Sequence, residues 1–283
     1  MGKSTKIWLI SASALVLVGI LVFTAALASV DFDITKLSNT EYVTNEYSLT
    51  EDFESIFIEA DTADIIFKLS KNGENRVVCR ENKKTPHTVK TENGSLTIEP
   101  SDNREWYDHI NIFSFGSTEI TLYLTETEYE NISVEVSTGD VHIGYISAGE
   151  LDIETSTGDI GIEDIWAGNI DIKVSTGDVT LTDISCDSLK TEGDTGDIML
   201  KTVVAEVKFD IERSTGDVKL EGCDAEELRI ETDTGDVVGT LLSEKVFITE
   251  SDTGRIDVPE TTNGGRCEIT TDTGDIKINI PSA

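Results

Sequence analysis

The sequence predicts an all-β protein, a parallel β-solenoid of 19-20-residue rungs with a β-hairpin-rich insertion or cap, preceded by one N-terminal transmembrane helix. Three observations carry that class. A Ser/Asp-Thr-Gly-Asp signature occurs eight times, with its glycines at Gly139, Gly158, Gly177, Gly196, Gly216, Gly235, Gly254 and Gly274. Apolar residues keep a period of two on both flanks of each glycine. Residues 7–30 contain no charged side chain.

The successive glycine spacings are 19, 19, 19, 20, 19, 19 and 20 residues, and so tight a period is the mark of one structural unit stacked on itself. Seven residues before the glycine stand Ile132, Leu151, Ile170, Leu189, Phe209, Leu228, Phe247 and Cys267. Two residues after it stand Val141, Ile160, Val179, Ile198, Val218, Val237, Ile256 and Ile276. This is strand spacing with one face buried. Each unit is a strand, a corner at Thr-Gly-Asp, a second strand, and a return opening on Ile146, Ile165, Ile184, Val203, Cys223 or Leu242. Stacking brings like residues to about 4.8 Å from one another, so the inward columns of Ile and Val hold the rungs together.

At the corner, glycine supplies positive φ and the adjacent Asp or Ser bonds turn backbone. Alternation from the buried positions places the preceding Thr inward, with its hydroxyl on a neighbouring rung. A sharper reading makes the acidic column a calcium site. Asp140, Asp159, Asp178, Asp197, Asp217 and Asp236 form a carboxylate ladder that Arg255 interrupts and Asp275 resumes, and Asp194, Asp233, Asp252 and Asp272 add a second column. Like charges at that spacing repel unless amides, water or a metal offset them, and calcium accepts many oxygens in loose geometry. Known calcium-binding solenoids use a shorter, glycine-richer repeat. Catalysis by carboxylates needs a distinguished pair with separated pKa values, and repetition distinguishes none. No catalytic, cofactor-binding or metal-ligating residue is therefore assigned.

The 283 residues carry a formal net charge of −33, which opposes binding to nucleic acid or to a bare anionic membrane. The regular apolar lattice separates this acidity from disorder. Cys79, Cys186, Cys223 and Cys267 lack metal or disulfide spacing and read as small core residues. His87, His109 and His142 are scattered.

The apolar run 7–30 is long enough to span a bilayer, and Lys3 and Lys6 before it belong on the cytoplasmic side. The competing reading is a cleaved signal peptide ending at Ala26-Leu27-Ala28. Both export the repeat. The expected organisation is a cytoplasmic tail (1–6), a transmembrane anchor or signal peptide (7–30), a linker (31–49), a degenerate first rung with hairpin insertion and cap (50–130), and the repeat solenoid (131–283). In the first rung Ala63 holds the glycine slot. Asn72-Gly73 and Asn93-Gly94 are hairpin-turn dipeptides, and Trp106, Tyr107, Phe113 and Phe115 form an aromatic cluster suited to covering the open end of the stack. The last rung, at Asp275 to Ile280, ends in Pro281, which opposes strand addition.

The apolar run, the degenerate rung, the stretch EITLYLTETEYENISVEV at 119–136 and the Thr-Gly-Asp repeats together resemble the DUF4097 group of bacterial proteins, described as candidate adhesins. The resemblance covers 47–283, with Thr125 where members commonly have Pro. It implies a β-solenoid at the bacterial envelope and brings no catalytic residues. The expected function is a non-enzymatic, single-pass membrane protein whose extracytoplasmic solenoid contacts an envelope-protein or cell-wall partner, as an adhesin, sensor or scaffold. Alternatives are a self-assembling scaffold similar to the bactofilins, a calcium-binding surface protein and, last, a polysaccharide-active enzyme.

Overall fold

The structure is a computed structural model that describes residues 3–29, 32, 41–101, 117–125 and 128–281. It divides into two compact units, 1–42 with 104–116 and 43–103 with 117–283. The first contains helix α1 (Lys3–Ser29), which is long and apolar enough to cross a membrane by length and composition. Its side chains Leu15, Val16, Leu17, Val18, Ile20, Leu21, Val22 and Phe23 are exposed, as a bilayer-spanning segment or a signal sequence would present them. The aromatic cluster at 106–115 and most of the proposed linker lie outside the described residues.

The second unit is the β-solenoid. Its cap region holds β1 (Tyr42–Leu49), β2 (Ser55–Thr62), β3 (Asp64–Leu69), β4 (Asn75–Asn82), β5 (His87–Glu92), β6 (Ser95–Pro100) and β7 (Glu119–Leu124). The regular rungs are β8 (Glu128–Thr138), β9 (Val141–Gly144), β10 (Ser147–Thr157), β11 (Ile160–Thr176), β12 (Val179–Thr195), β13 (Ile198–Thr215), β14 (Val218–Cys223), β15 (Glu227–Thr234) and β16 (Val237–Leu241). The chain closes with β17 (Lys245–Thr253), β18 (Ile256–Asp257), β19 (Gly265–Thr273) and β20 (Ile276–Asn279). Pairing within the rungs is parallel and in register: Ile132, Leu151, Ile170, Leu189, Phe209, Leu228 and Cys267 form one buried column.

The stack does not follow chain order at its end. β15 pairs with β19 and β16 with β20, while β17 and β18 pair only onto the far side of β19 and β20. The Gly274 rung is thus inserted between the Gly235 and Gly254 rungs. Its apolar set explains the choice. Cys267, Ile269, Ile276 and Ile278 are fully buried, whereas their counterparts Phe247, Thr249 and Val258 are half-buried and Ile256 is exposed. The rung with the better apolar lattice is covered on both sides and the poorer one forms the edge. Two expectations fall with this order. Arg255 ends the acidic ladder instead of interrupting it, and Pro281 does not belong to the terminal rung.

A second corner lies six residues after each of the first five glycines, where Tyr145, Asp164, Asp183, Thr202 and Gly222 have φ of 62°, 52°, 54°, 53° and 64°. The return then buries Ile146, Ile165, Ile184, Val203 and Cys223. In the next rung Leu241, not Leu242, fills that column, because β16 is one residue shorter between its paired positions and Cys223 meets Leu241. A further column of small residues, Ala148, Ala167, Cys186, Ala205 and Ala225, is buried two residues on, which gives Cys186 its place in the core. All four cysteines are buried and free.

At the opposite end, β6 and β7 continue the stack in parallel on β2 and β3, and β5 and β4 then run antiparallel to them. β1, which begins inside the stretch read as linker, joins β4. Its alternating half-buried side chains, with Tyr47 and Leu49 packed on the core, hold it there. Asn93 and Gly94, with φ of 53° and 78°, make the expected tight hairpin between β5 and β6. Asn72-Gly73 does not make one. It lies in the wider loop from β3 to β4, two strands that β7 separates.

Candidate functional site

The acidic columns come first, since they are the conspicuous chemistry of the sequence. Each corner leaves one backbone N–H without a carbonyl partner, and the carboxylate of the preceding rung accepts it. The Asp159 N–H donates to Asp140 Oδ1 at 2.9 Å, Asp178 to Asp159 at 2.9 Å, Asp197 to Asp178 at 2.8 Å and Asp217 to Asp197 at 2.9 Å. The run continues through Asp236, Asp275 and Arg255, whose N–H donates to Asp275 Oδ1 at 2.8 Å. The first member is Asp64, which accepts from Asp140 at 3.1 Å. One carboxylate oxygen per rung is therefore engaged by the fold in a charge-assisted bond. Arg255 turns its guanidinium back onto Asp275 at 2.6 Å, which with its own N–H holds that carboxyl below its ordinary value.

The threonines of the signature are exposed, not inward. Alternation ends two positions earlier than expected: Val136, Thr155, Val174, Arg213, Thr232 and Thr271 are the last buried residues before the corner. The Thr backbone carbonyl makes the link between rungs, accepting from Gly139 at Thr157 and from Gly158 at Thr176 (2.9 and 3.0 Å). Asp194, Asp233, Asp252 and Asp272 are exposed beside these threonines. Among the described residues no group of three or more His, Cys, Asp or Glu side chains is arranged to hold a metal ion.

The outer surface carries a groove of about 850 Å³ across β3, β7, β9, β11 and β12. That volume lies within the roughly 300–1,000 Å³ of small-molecule sites. In the register, Ile66 faces His142, His142 faces Gly161 and Gly161 faces Thr180, so the floor passes from an apolar residue to a glycine gap. His142 leans over Gly161, where a β-carbon would lie 2.8 Å from Nδ1, and Glu163 leans over Gly144 in the same way at 3.1 Å. One wall is Leu69 with the loop to Asn72, in which Ser70 Oγ donates to the Glu74 carbonyl at 2.7 Å. Tyr145 stands at the second corner with φ of 62° and is 53% exposed, and Leu69 is 47% exposed.

Three cations gather on this apolar surface: Lys68, Lys71 and Arg76. Arg76 lies 4.3 Å over the Tyr123 ring and pairs with Glu46 at 2.8 Å, while its buried Nε has no partner among the described residues. The periodic pattern conceals the site, because it joins outward positions from rungs far apart in sequence. Its only sequence signal is a pair of outward glycines, Gly144 and Gly161, in adjacent units.

Buried charged groups lie elsewhere, among them Glu81, Arg213 and Lys245, the last paired with Asp224 at 2.6 Å. Glu81 on β4, fully buried, accepts from Asn45 Nδ2 at 2.6 Å, from the His87 N–H at 2.6 Å and pairs with His87 Nδ1 at 2.7 Å. Burial pushes its carboxyl up, but the bonds from His87 and Asn45 outweigh that and leave it below its ordinary value. This cluster ties β1, β4 and β5 together. Arg213 is buried in the space left by Gly193 and donates to the Val174 carbonyl at 3.3 Å.

The sequence profile of the Toastrack DUF4097 family matches residues 53–212 and again 170–283. No curated protein matches the chain. A protein of Bacteroides fragilis NCTC 9343 described as a "putative adhesin" superposes with a TM-score of 0.57 at 14% identity, over 84% of this chain and 97% of its own. A "putative lipid binding protein" of Parabacteroides distasonis ATCC 8503 gives 0.52 at 15% identity, over 86% of this chain and 98% of its own. Such identities show a shared fold. The two profile matches together span 53–283, and the chain belongs to the Toastrack DUF4097 family.

Proposed function

We propose that the chain is a non-catalytic recognition module of the bacterial envelope, tethered by its N-terminal helix with the solenoid outside, and that the groove beside Tyr145 is its contact surface. One observation carries this reading: the groove combines the exposed side chains of Leu69 and Tyr145 with two cations, Lys68 and Lys71, that have no ion-pair partner among the described residues. Its aromatic and apolar walls surround a few placed polar groups, the composition of binding sites in general. Lys3 and Lys6, ahead of the apolar run 7–30, favour a cytoplasmic N-terminus. The Parabacteroides distasonis protein described as lipid binding is compatible with a groove of this character. End-to-end polymerisation is disfavoured, since the antiparallel β5 and β4 close one end and Arg255 offers no carboxylate to a further rung at the other.

Affinity capture of the full chain from envelope extracts tests the proposal, with the variant Leu69→Asp/Tyr145→Asp in parallel. Both residues are exposed, so the fold tolerates the change. An envelope component held by the wild type and reduced about tenfold or more in the variant is expected, a difference of about 1.4 kcal/mol. Equal retention by both would overturn the assignment of the groove.

A further inference from the structure

Resting on that recognition reading, we propose that the groove binds a single-chain anionic amphiphile, its apolar tail along Ile66, Leu69 and Tyr145 and its acidic head on Lys68 and Lys71. Charge complementarity selects this occupant. The molecule carries a net charge of −33, and its long-range field opposes any extended polyanion. Screening limits that field to a Debye length of about 8 Å at physiological salt, inside which the local cations decide. Lys68 and Lys71 are exposed and have no ion-pair partner among the described residues, and the Nε of Arg76 is a buried donor still unused. A small anion pairs with the two lysines where a polyanion is repelled.

The rest of the lining gives the orientation. Glu163 lies on the floor over Gly144 and repels an acidic head from that part of the groove. The head is thereby confined to the lysines and the tail to the surface offered by Ile66, Leu69 and Tyr145. Gly144 and Gly161 carry no side chain of their own, and the Glu163 and His142 side chains lie across them to form the floor.

The test uses the full chain in phosphatidylcholine nanodiscs and a dodecanoate probe bearing a terminal diazirine. After irradiation, adducts are mapped by peptide mass spectrometry. Adducts are expected on the peptides carrying Leu69 and Tyr145, displaced by dodecanoate but not by the neutral dodecyl maltoside. Lys68→Glu/Lys71→Glu should lower them about tenfold or more. Both lysines are exposed, so an unchanged circular dichroism melt accompanies that loss. Adducts confined to α1 or spread over the strands, or groove adducts undiminished in the charge-reversed variant, would overturn the ligand class. Loss of labelling with groove-dependent envelope capture intact removes only the amphiphile; failure of both removes the recognition reading as well.

Discussion

Gly177→Ala is expected to cost about 3–5 kcal/mol, much of the stability of an ordinary domain. Two effects combine. The glycine has φ of 151°, which L residues rarely adopt, and a β-carbon would lie 2.0 Å from the Gly158 carbonyl oxygen and 2.6 Å from its carbon. That contact is backbone on backbone, so relief requires the two rungs to part, and parting them breaks the Gly-to-Thr and Asp-to-Asp bonds of the corner. In a stack whose rungs contact only their neighbours, one opened interface divides the molecule. Gly73→Ala is the control: its φ is 75°, but nothing lies within 4 Å of the added carbon, so only the backbone cost of about 1–2 kcal/mol applies. Denaturant unfolding of both variants measures the difference. Equal small losses would mean that glycine serves the corner through φ alone.

Glu81→Ala is expected to cost about 3–5 kcal/mol, as removal of one member of a buried charged cluster does. The substitution leaves Asn45 Nδ2, the His87 N–H and the His87 ring buried with no acceptor. Loss should begin in the cap, so amide exchange accelerates in β1, β4 and β5 before the regular rungs. Acid reports on the same cluster. The Glu81 carboxyl lies below its ordinary value in the folded chain, so its contribution is complete above the unfolded carboxylate range near pH 4.5 and is lost as pH falls through the folded value. The wild type should therefore lose stability below about pH 4.5 by more than Glu81→Ala does. Parallel acid profiles for the two proteins would remove Glu81 from the account.

The parts of this fold that are legible in sequence are those fixed by neighbouring residues. Spacing reveals the rungs because the inward positions Ile132, Val134, Val141 and Ile143 repeat within a few residues of each glycine. The direction of Thr138 is not legible by alternation, because the strand turns at Val136 and both following side chains point out. The order of the last rungs is hidden for another reason. Rungs with a common lattice can stack in either order, and the balance between Ile269 and Thr249, or Ile278 and Val258, decides which is covered. Arg255 is the local sign of that outcome, since a ladder that must continue needs an acceptor at each rung. The groove joins the Leu69 loop, Tyr145 and Gly161, which the chain separates by many residues, and no periodic pattern brings them together. Asn45, Glu81 and His87 meet only through the pairing of three cap strands.

The central claim is that the Thr-Gly-Asp carboxylates serve the fold and that recognition lies elsewhere. Thermal unfolding of the full chain in calcium and in magnesium, at matched concentrations, tests it most directly. Ligand held only by the folded state stabilises by about 2.7 kcal/mol at 100 times its Kd, so a calcium ladder cannot hide. Equal shifts from the two ions are expected, the screening of a net charge of −33 and nothing more. A rise in Tm specific to calcium and increasing with its concentration would contradict it.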